Sequence, residues 1–414
     1  MIKQIYNIRN LLFLFFTISL FFSFYIGENS AGGTEYDHSV TSEFILLFSE
    51  NIKENLLVYD PKINPHLPFF YFFFGKLLNF FSLEILRFFY LLISLILPII
   101  FYKILKIRFK GQNKNILFLI SSLIFLSPYF RSSAVWLTND NLTLIFFSVS
   151  IYYFYKADKF KSNNLNDIIK CFIFLMLSVY LRQNFIIFIF FYIYYLIFNS
   201  ELKKIIIVFI INFTLSLPIL YYLIHYEHIL YYININSIDK IDYSLNFLIF
   251  LNIILFYLIP FLISKPILKK IIIRFKINLK EILLLVFFVL IINYFVLDYS
   301  VSIHGFGGGV SYKLFINLIN IPELLVLFSI ISLVLLFCFL DKKIENYLLL
   351  ILFFFLYSLP ILYQKYYDPL FLIILFSLLS FNKDINKKFL DYKYLIAPII
   401  YFSSFFLFAL YYYS

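Results

Sequence analysis

Long apolar segments alternate with short polar ones along almost the whole chain. The segments 11–26 and 282–297, for example, contain no charged residue. Helices of about this length cross a hydrocarbon core of ~30 Å, because an α-helix rises ~1.5 Å per residue. The pattern predicts an all-α polytopic integral membrane protein with about 13 transmembrane helices, built as a single domain by residues 1–414. The predicted spans are 10–27, 83–105, 115–130, 137–156, 168–181, 184–199, 205–224, 244–264, 281–297, 319–340, 344–362, 367–381 and 394–413.

The basic residues indicate how these spans are oriented. With a cytoplasmic N-terminus, 25 of the 34 Lys and Arg residues lie on the cytoplasmic side, and the opposite orientation would place the same 25 outside. Cytoplasmic loops of membrane proteins are enriched in Lys and Arg, so we predict a cytoplasmic N-terminus.

The apolar segment 67–81 is short, and Gly75, Lys76 and Asn79 interrupt it. If it were a span, every later basic loop would move to the outside of the membrane. We therefore interpret 67–81 as an interfacial helix that lies on the outer surface. Residues 28–82 then form one long loop, the predicted first outer segment.

The composition limits other classes of function. The chain is 63% hydrophobic and only 14% charged, whereas soluble domains are nearer half apolar and a quarter charged. Cytoplasmic loops account for the net charge of +11, so it is not taken as a sign of nucleic-acid binding. Cys171 and Cys338 lie inside apolar segments, which indicates buried residues rather than a disulfide or metal site.

Five of the twelve candidate site residues lie in the predicted first outer segment. Its candidate site residues are Glu35, Asp37, His38, Lys62 and His66. Gly32 and Gly33 precede the two acids, and a glycine pair gives the backbone freedom to place them.

The other predicted outer loops are short and contribute a few polar residues each. They supply Arg131 and Asp140 in 131–141, Arg182 and Gln183 in 181–184, His304 in 298–313, and Gln364 and Lys365 in 363–369. Arg182 is the most informative of these, because it lies between two apolar helices. An unpaired charge is costly there, and ionisable residues in such places are functional candidates by default.

These residue types suit a reaction that displaces an anionic leaving group. A carboxylate accepts the proton of an acceptor hydroxyl, and Arg and Lys stabilise a departing phosphate. The chain has no Gly-rich phosphate loop and no dinucleotide-binding glycine fingerprint, which disfavours a cytosolic nucleotide-sugar donor.

The arrangement resembles the GT-C superfamily of polytopic glycosyltransferases, which use polyprenyl-phosphate sugars. The likeness rests on the acidic motif EYDH (35–38) soon after the first helix, on NPHLPFFYFFFGK (64–76), and on SPYFRSSAVWLTNDNLTLIFF (127–147). Within the superfamily, DPKINPHLPFFY (60–71) and LRQNFIIF (181–188) look most like the dolichyl-phosphate-glucose α-1,2-glucosyltransferases. One departure is that Tyr36 separates the two acids of this motif.

The resemblance implies an inverting transferase that moves a sugar from a polyprenyl-phosphate donor to a saccharide or glycolipid acceptor, with no metal and no other cofactor. The expected setting is a bacterial inner (plasma) membrane with the active site on the outer face. Asp37 is the candidate base, and Glu35 or Asp140 would orient the acceptor or the sugar. The candidates for holding the donor phosphate are Arg182, Lys365, Lys62 and Arg131, and the further site candidates are His38, His66, Gln183, His304 and Gln364.

Two other functions remain open at this stage. A transporter or flippase of lipid-linked saccharides would show ionisable residues near mid-bilayer and paired broken helices, and no internal repeat is visible. A saccharide polymerase would favour a long functional loop late in the chain, whereas the long loop here is early.

Overall fold

The structure of the protein is a computed structural model. It describes residues 2–51, 54–56, 59, 67–161, 164–225, 241–262, 265–296, 299, 307–357, 359, 361–382 and 392–413.

The described part of the chain is helical almost throughout. In order, the helices are α1 (Ile2–Ile26), α2 (Thr34–Leu47), α3 (Phe69–Leu78), α4 (Leu83–Ser94), α5 (Ile96–Arg108), α6 (Lys114–Ser122), α7 (Pro128–Trp136), α8 (Asn139–Lys156), α9 (Leu165–Leu181), α10 (Phe188–Asn199), α11 (Leu202–His225), α12 (Tyr243–Leu262), α13 (Lys265–Ile277), α14 (Leu279–Tyr294), α15 (Pro322–Phe339), α16 (Ile344–Phe355), α17 (Leu370–Ser377) and α18 (Tyr392–Tyr413). A single α-helical turn lies at Gly309–Tyr312, directly before a π-helix at Lys313–Leu318. Short 3₁₀ helices lie at Leu123–Leu126, Asp158–Phe160, Gln183–Ile187 and Gln364–Tyr366. Among these residues no strand forms, apart from a single antiparallel bridge between Leu340 and Phe381.

Five stretches of helix are long and apolar enough to cross a membrane within the described ranges. They are Leu83–Arg108, Leu202–Ile224, Tyr243–Leu262, Pro322–Phe339 and Leu395–Tyr413. A sixth would combine Lys114–Leu126 with α7, across a bend of 63°. The prediction of an all-α polytopic membrane protein is confirmed. The count of 13 spans is not confirmed, because several predicted spans form helices of a dozen residues or fewer, such as α10, α16 and α17.

Helix α7, which follows this bend, contradicts the predicted loop 131–141. Pro128 occupies the first turn of α7, and the Ser127 hydroxyl accepts a hydrogen bond from the backbone N–H of Phe130 at 3.0 Å. The range 131–141 is therefore not a loop. Most of it is helix, and only Leu137 and Thr138 separate α7 from α8.

Helices α2 and α3 both form in the predicted first outer segment. Helix α3 (Phe69–Leu78) lies within the predicted interfacial helix 67–81, whereas α2 was not predicted from the sequence. The helices pack closely because α3 has a glycine at the contact: a Cβ on Gly75 would lie 2.8 Å from the carbonyl oxygen of Ile45. The outer-surface location of α3 stays a prediction.

The chain divides into two compact units, Met1–Ile235 with Phe402–Ser414, and Asn236–Tyr401. In the first unit, α8 packs along α9 and α5. Cys171 in the first unit and Cys338 in the second are both buried, as predicted. In the second unit, α12 packs against α15, where the Asn252 side chain donates to the Ser329 hydroxyl at 2.7 Å. Such interhelical polar contacts are common between helices in membranes, where packing and hydrogen bonds replace the hydrophobic effect. The assignment of 1–414 to one functional domain stays a prediction.

Candidate active site

A tight turn between α7 and α8 places a carboxylate at a helix start. Leu137 has a left-handed backbone (φ 52°, ψ 51°), and Thr138 is the N-cap residue of α8. Asp140 therefore lies in the first turn of α8, where the helix dipole favours a negative charge.

The end of α9 brings the partner of this carboxylate. Arg182 leaves the helix in an extended conformation (φ −138°, ψ 104°), and its Nη2 lies 2.5 Å from Asp140 Oδ1. Its Nε donates to Asn139 Oδ1 at 3.4 Å. The Arg182 side chain is 12% exposed and that of Asp140 is 39% exposed, so the pair is reachable from one side. Two candidates predicted from separate loops thus meet in the first unit.

Neighbouring polar groups hold this pair in place. Thr138 Oγ1 donates to Asp140 Oδ2 at 3.1 Å and shares a 2.7 Å hydrogen bond with Ser133 Oγ. The Asn139 amide donates to the carbonyl oxygen of Leu181 at 3.0 Å, which ties the start of α8 to the end of α9. The Tyr90 hydroxyl donates to the Thr138 carbonyl and accepts from the Leu142 N–H at 3.2 Å. The start of α8 and the end of α9 therefore both hold the Arg182–Asp140 pair in place.

An aromatic cluster connects α2 and α3 to these helix ends. Its buried members are Phe44, Ile45, Phe48, Tyr59, Leu67, Phe70, Tyr71, Phe74, Leu86, Tyr90, Leu137, Leu181 and Tyr222. Leu137 and Leu181 immediately precede Thr138 and Arg182 in the chain. Burial of this apolar surface therefore holds the two helices of the predicted first outer segment beside the Arg182–Asp140 pair.

Glu35 and Asp37 both lie in the first turn of α2. Glu35 is exposed and Asp37 is half-buried. The glycines before them are not a free hinge: Gly32 and Gly33 adopt left-handed conformations (φ 66° and 82°) that start the helix. A Cβ on Gly32 would lie 2.2 Å from the ring of Tyr413, so only glycine fits there.

His38 is buried against α7. Its ring centroid lies 5.6 Å from that of Trp136, and the Arg87 guanidinium lies 4.4 Å from the Trp136 ring on α7. Burial, together with the nearby positive charge of Arg87, lowers the pKa of His38 to about 4. Near pH 7, His38 is therefore uncharged, and its ring packs α2 against α7.

Arg131 does not join the Arg182–Asp140 pair, and the phosphate-binding role expected of it is not supported. Its guanidinium is buried and forms an ion pair with Glu28, with Nη2 and Oε2 3.0 Å apart. The remaining donors reach Ser19, Ser23 and the Phe125 carbonyl. A buried guanidinium with every N–H directed at a protein acceptor serves structure rather than ligand binding.

Gln364 and Lys365 belong to the second unit. Gln364 is buried; its Oε1 accepts from the Val310 N–H at 2.9 Å and lies 3.0 Å from the point where a Cβ on Gly309 would be. It therefore anchors the glycine turn that precedes the π-helix. The Lys365 ammonium lies 5.6 Å from the centre of the Tyr363 ring, a cation–π contact.

The other candidates add less to the site. Gln183 starts the 3₁₀ helix that follows Arg182. Lys62, His66 and His304 lie outside the described residues. Within the described residues, no group of three His, Cys, Asp or Glu side chains could hold a metal ion.

Several residues that build or support the site were not predicted from the sequence, above all Glu28, Thr138, Asn139 and Tyr90. The run TND at 138–140 carried a signal, because Thr, Asn and Asp are typical of a helix start. No sequence signal marked Glu28 or Tyr90, because the residues that they contact lie far away in the sequence.

Residues 61–224 match the model of a family described as dolichyl-phosphate-mannose-protein mannosyltransferase. The match supports the resemblance to the GT-C superfamily and does not single out the glucosyltransferases within it. No curated protein and no solved structure matches the chain significantly. The matched range contains Asp140 and Arg182, and it leaves out Asp37 and Lys365.

Proposed function

We propose that the protein is a membrane glycosyltransferase that moves a sugar from a polyprenyl-phosphate donor to a saccharide or glycolipid acceptor. The observation that carries the proposal is the Arg182–Asp140 pair, which lies at two helix ends inside the range similar to the mannosyltransferase family. The proposed location of the reaction is the non-cytoplasmic face of a bacterial inner membrane.

Arg182 is the proposed main ligand of the donor phosphate. Asp140 and Asn139 orient its guanidinium before any ligand arrives, which lowers the entropic cost of binding. A planar guanidinium binds phosphate through two parallel hydrogen bonds, and its positive charge stabilises the leaving group as it departs. Lys365 and Lys62 are proposed as additional phosphate ligands.

Asp37 is the proposed general base, and Glu35 or Asp140 would orient the acceptor or the sugar. The acceptor oxygen attacks the anomeric carbon of the sugar while its proton passes to the Asp37 carboxylate. The bond between the anomeric carbon and the phosphate oxygen breaks, and its electron pair leaves with the polyprenyl phosphate. Attack from the face opposite the leaving group inverts the anomeric centre. The proposed reaction needs no metal or other cofactor.

The proposal is tested with the purified protein in proteoliposomes, supplied with polyprenyl-phosphate glucose and, separately, polyprenyl-phosphate mannose. These donors match the two families that the chain resembles. Asp37→Asn keeps the size of the side chain and removes its basicity, so transfer should fall by roughly 10²–10⁴-fold while donor binding survives.

Glu35→Gln is the second variant, because Glu35 is the exposed acid of the same helical turn and the other carboxylate that α2 could offer as a base. Transfer by Asp37→Asn within a few-fold of wild type, with Glu35→Gln equally active, would leave α2 without a base and contradict the mechanism.

A further inference from the structure

A second ion pair, between Glu28 and Arg131, lies apart from the proposed catalytic groups and is almost fully buried. The two residues are 3% and 4% exposed. Arg131 Nε lies 3.2 Å and 3.1 Å from the two carboxylate oxygens of Glu28, and Nη2 adds a third contact at 3.0 Å. A buried pair of this geometry holds its partners in one arrangement, because separating them would leave two unpaired charges.

The pair joins α1, α7 and the part of α18 that belongs to the first unit. The Ser23 hydroxyl on α1 donates to Glu28, and Arg131 on α7 donates to the Ser19 carbonyl oxygen at 3.1 Å. The ring of Phe406 on α18 lies 4.4 Å from the Arg131 guanidinium. The three helices therefore all contact the Glu28–Arg131 ion pair inside the first unit.

The backbone that follows Glu28 is fastened to α7. The Trp136 indole N–H donates to the Glu28 carbonyl at 2.8 Å, and the Ala31 N–H donates to Ser132 Oγ at 2.9 Å. The Ser30 hydroxyl adds a 3.2 Å contact to the Pro128 carbonyl.

The chain then turns through the two glycines into α2, which carries Asp37. The next residue, His38, packs on Trp136. The segment from Glu28 to His38 is thus held by the same short helix at both of its ends.

Helix α7 also leads directly to the other half of the proposed site. Trp136 is its last residue, and the turn at Leu137 and Thr138 connects it to Asp140. One nine-residue helix therefore links the segment that carries Asp37 to the carboxylate that pairs with Arg182.

We propose that Glu28 and Arg131 are positioning residues that fix Asp37 with respect to the Arg182–Asp140 pair. This inference rests on the proposed function. Loss of the pair would leave donor binding intact, because Arg182 and Asp140 keep their own contacts. It would lower the rate of transfer, because a base displaced by ~1 Å can cost ~10²-fold.

The test uses the variant pair Glu28→Gln and Arg131→Met, made together, so that no unpaired charge is left buried. Replacing a buried ion pair as a unit is often tolerated, whereas removing one partner alone endangers folding. Arg131→Lys is the second variant; it keeps the charge and loses the forked geometry, so it should fall between wild type and the double variant.

Asp167→Asn is the matched control. It removes a different ion pair of the first unit, the one with Lys156 at 3.3 Å, which lies at the far end of α8.

The first readout does not depend on catalysis. Spin labels are attached to cysteines at Ser39 on α2 and at Lys110, both exposed and both in the first unit, with the buried native cysteines replaced by alanine. The distance distribution between the labels should be narrow in the parent protein and in Asp167→Asn, and broad or shifted in the double variant.

The second readout is the kinetics of transfer. The double variant should lose roughly 10–100-fold in kcat with KM for the donor changed less than about threefold. An unchanged distance distribution would overturn the proposal, as would a broad distribution with wild-type kcat. Activity of Asp37→Asn is read separately, so failure of the proposed base leaves the spin-label result interpretable.

Discussion

Arg182 Nη2 and Asp140 Oδ1 lie 2.5 Å apart, although the residues belong to the ends of different helices and lie 42 positions apart in the sequence. In an apolar setting each charge offsets the cost of burying the other. The partial exposure of Asp140 leaves one side of the pair open to a ligand. The pair is therefore the natural place to probe donor recognition.

Arg182→Lys should lower transfer by about 10–100-fold, because a hydrogen bond to a charged group contributes ~1.5–3 kcal/mol and lysine cannot offer the paired N–H groups. The measurement is kcat/KM for the donor at matched membrane expression. Asp140→Asn and the double variant complete a cycle. If the two side chains act as a unit, the double variant should be little worse than the more damaged single variant.

Asp167→Asn is again the control, since it removes an ion pair of α8 away from this site. Full activity of Arg182→Lys would assign Arg182 to packing rather than to phosphate binding.

His38 should make the first unit sensitive to acid. Its pKa is about 4 in the folded protein and near 6.5 when unfolded, so the contribution of neutral His38 to stability is complete above pH 6.5. This contribution is lost as the pH falls from 6.5 towards 4, and it amounts to roughly 3 kcal/mol over that range. The measurement is thermal unfolding in detergent between pH 7 and pH 4.

The comparison variant is His38→Gln, which cannot take up the proton. Its unfolding temperature should fall less steeply with acid than that of wild type. If the unfolding temperatures of His38→Gln and wild type fell equally with acid, protonation of His38 would not oppose folding.

Gly75→Ala should loosen the packing between α2 and α3. The added methyl would lie 2.8 Å from the backbone of Ile45 and Phe48, which cannot move aside as a flexible side chain could. Overpacking of this kind costs ~1–3 kcal/mol, so the unfolding temperature should fall. Phe73→Ala on the exposed face of α3 is the control, and it should change the unfolding temperature less. An unfolding temperature for Gly75→Ala equal to that of wild type would contradict the close contact.

The membrane orientation is tested with single cysteines and an impermeant thiol reagent. Positions 50, 110 and 272 are exposed, and both native cysteines are buried. With the N-terminus in the cytoplasm, a cysteine at Glu50 should label in intact cells, and cysteines at Lys110 and Ile272 should label only after permeabilisation. The reverse pattern would overturn the orientation and move the proposed active site to the cytoplasmic face.

The sequence alone determined the class of the protein and the position of most helices. Apolar segments such as 244–264 and 394–413 form α12 and α18 in the structure. They could be predicted because the hydrophobicity of about twenty consecutive residues is a local property, and it favours insertion of a helix into the membrane. Helix α2 escaped prediction because its polar residues, Glu35 to Ser42, give it no clear apolar pattern. It is held by Trp136 and by the aromatic residues of α3, which lie elsewhere in the chain.

Only the tertiary structure decided which partner each of two arginines has and how far each is buried. In the sequence, Arg131 and Arg182 were both candidates for holding the donor phosphate. The fold buries Arg131 against Glu28 and presents Arg182 beside Asp140 at a partly exposed position. An ion pair depends on helix packing and on turn geometry, here the left-handed Leu137 between α7 and α8, and neither property can be read from the spacing of charges along the chain.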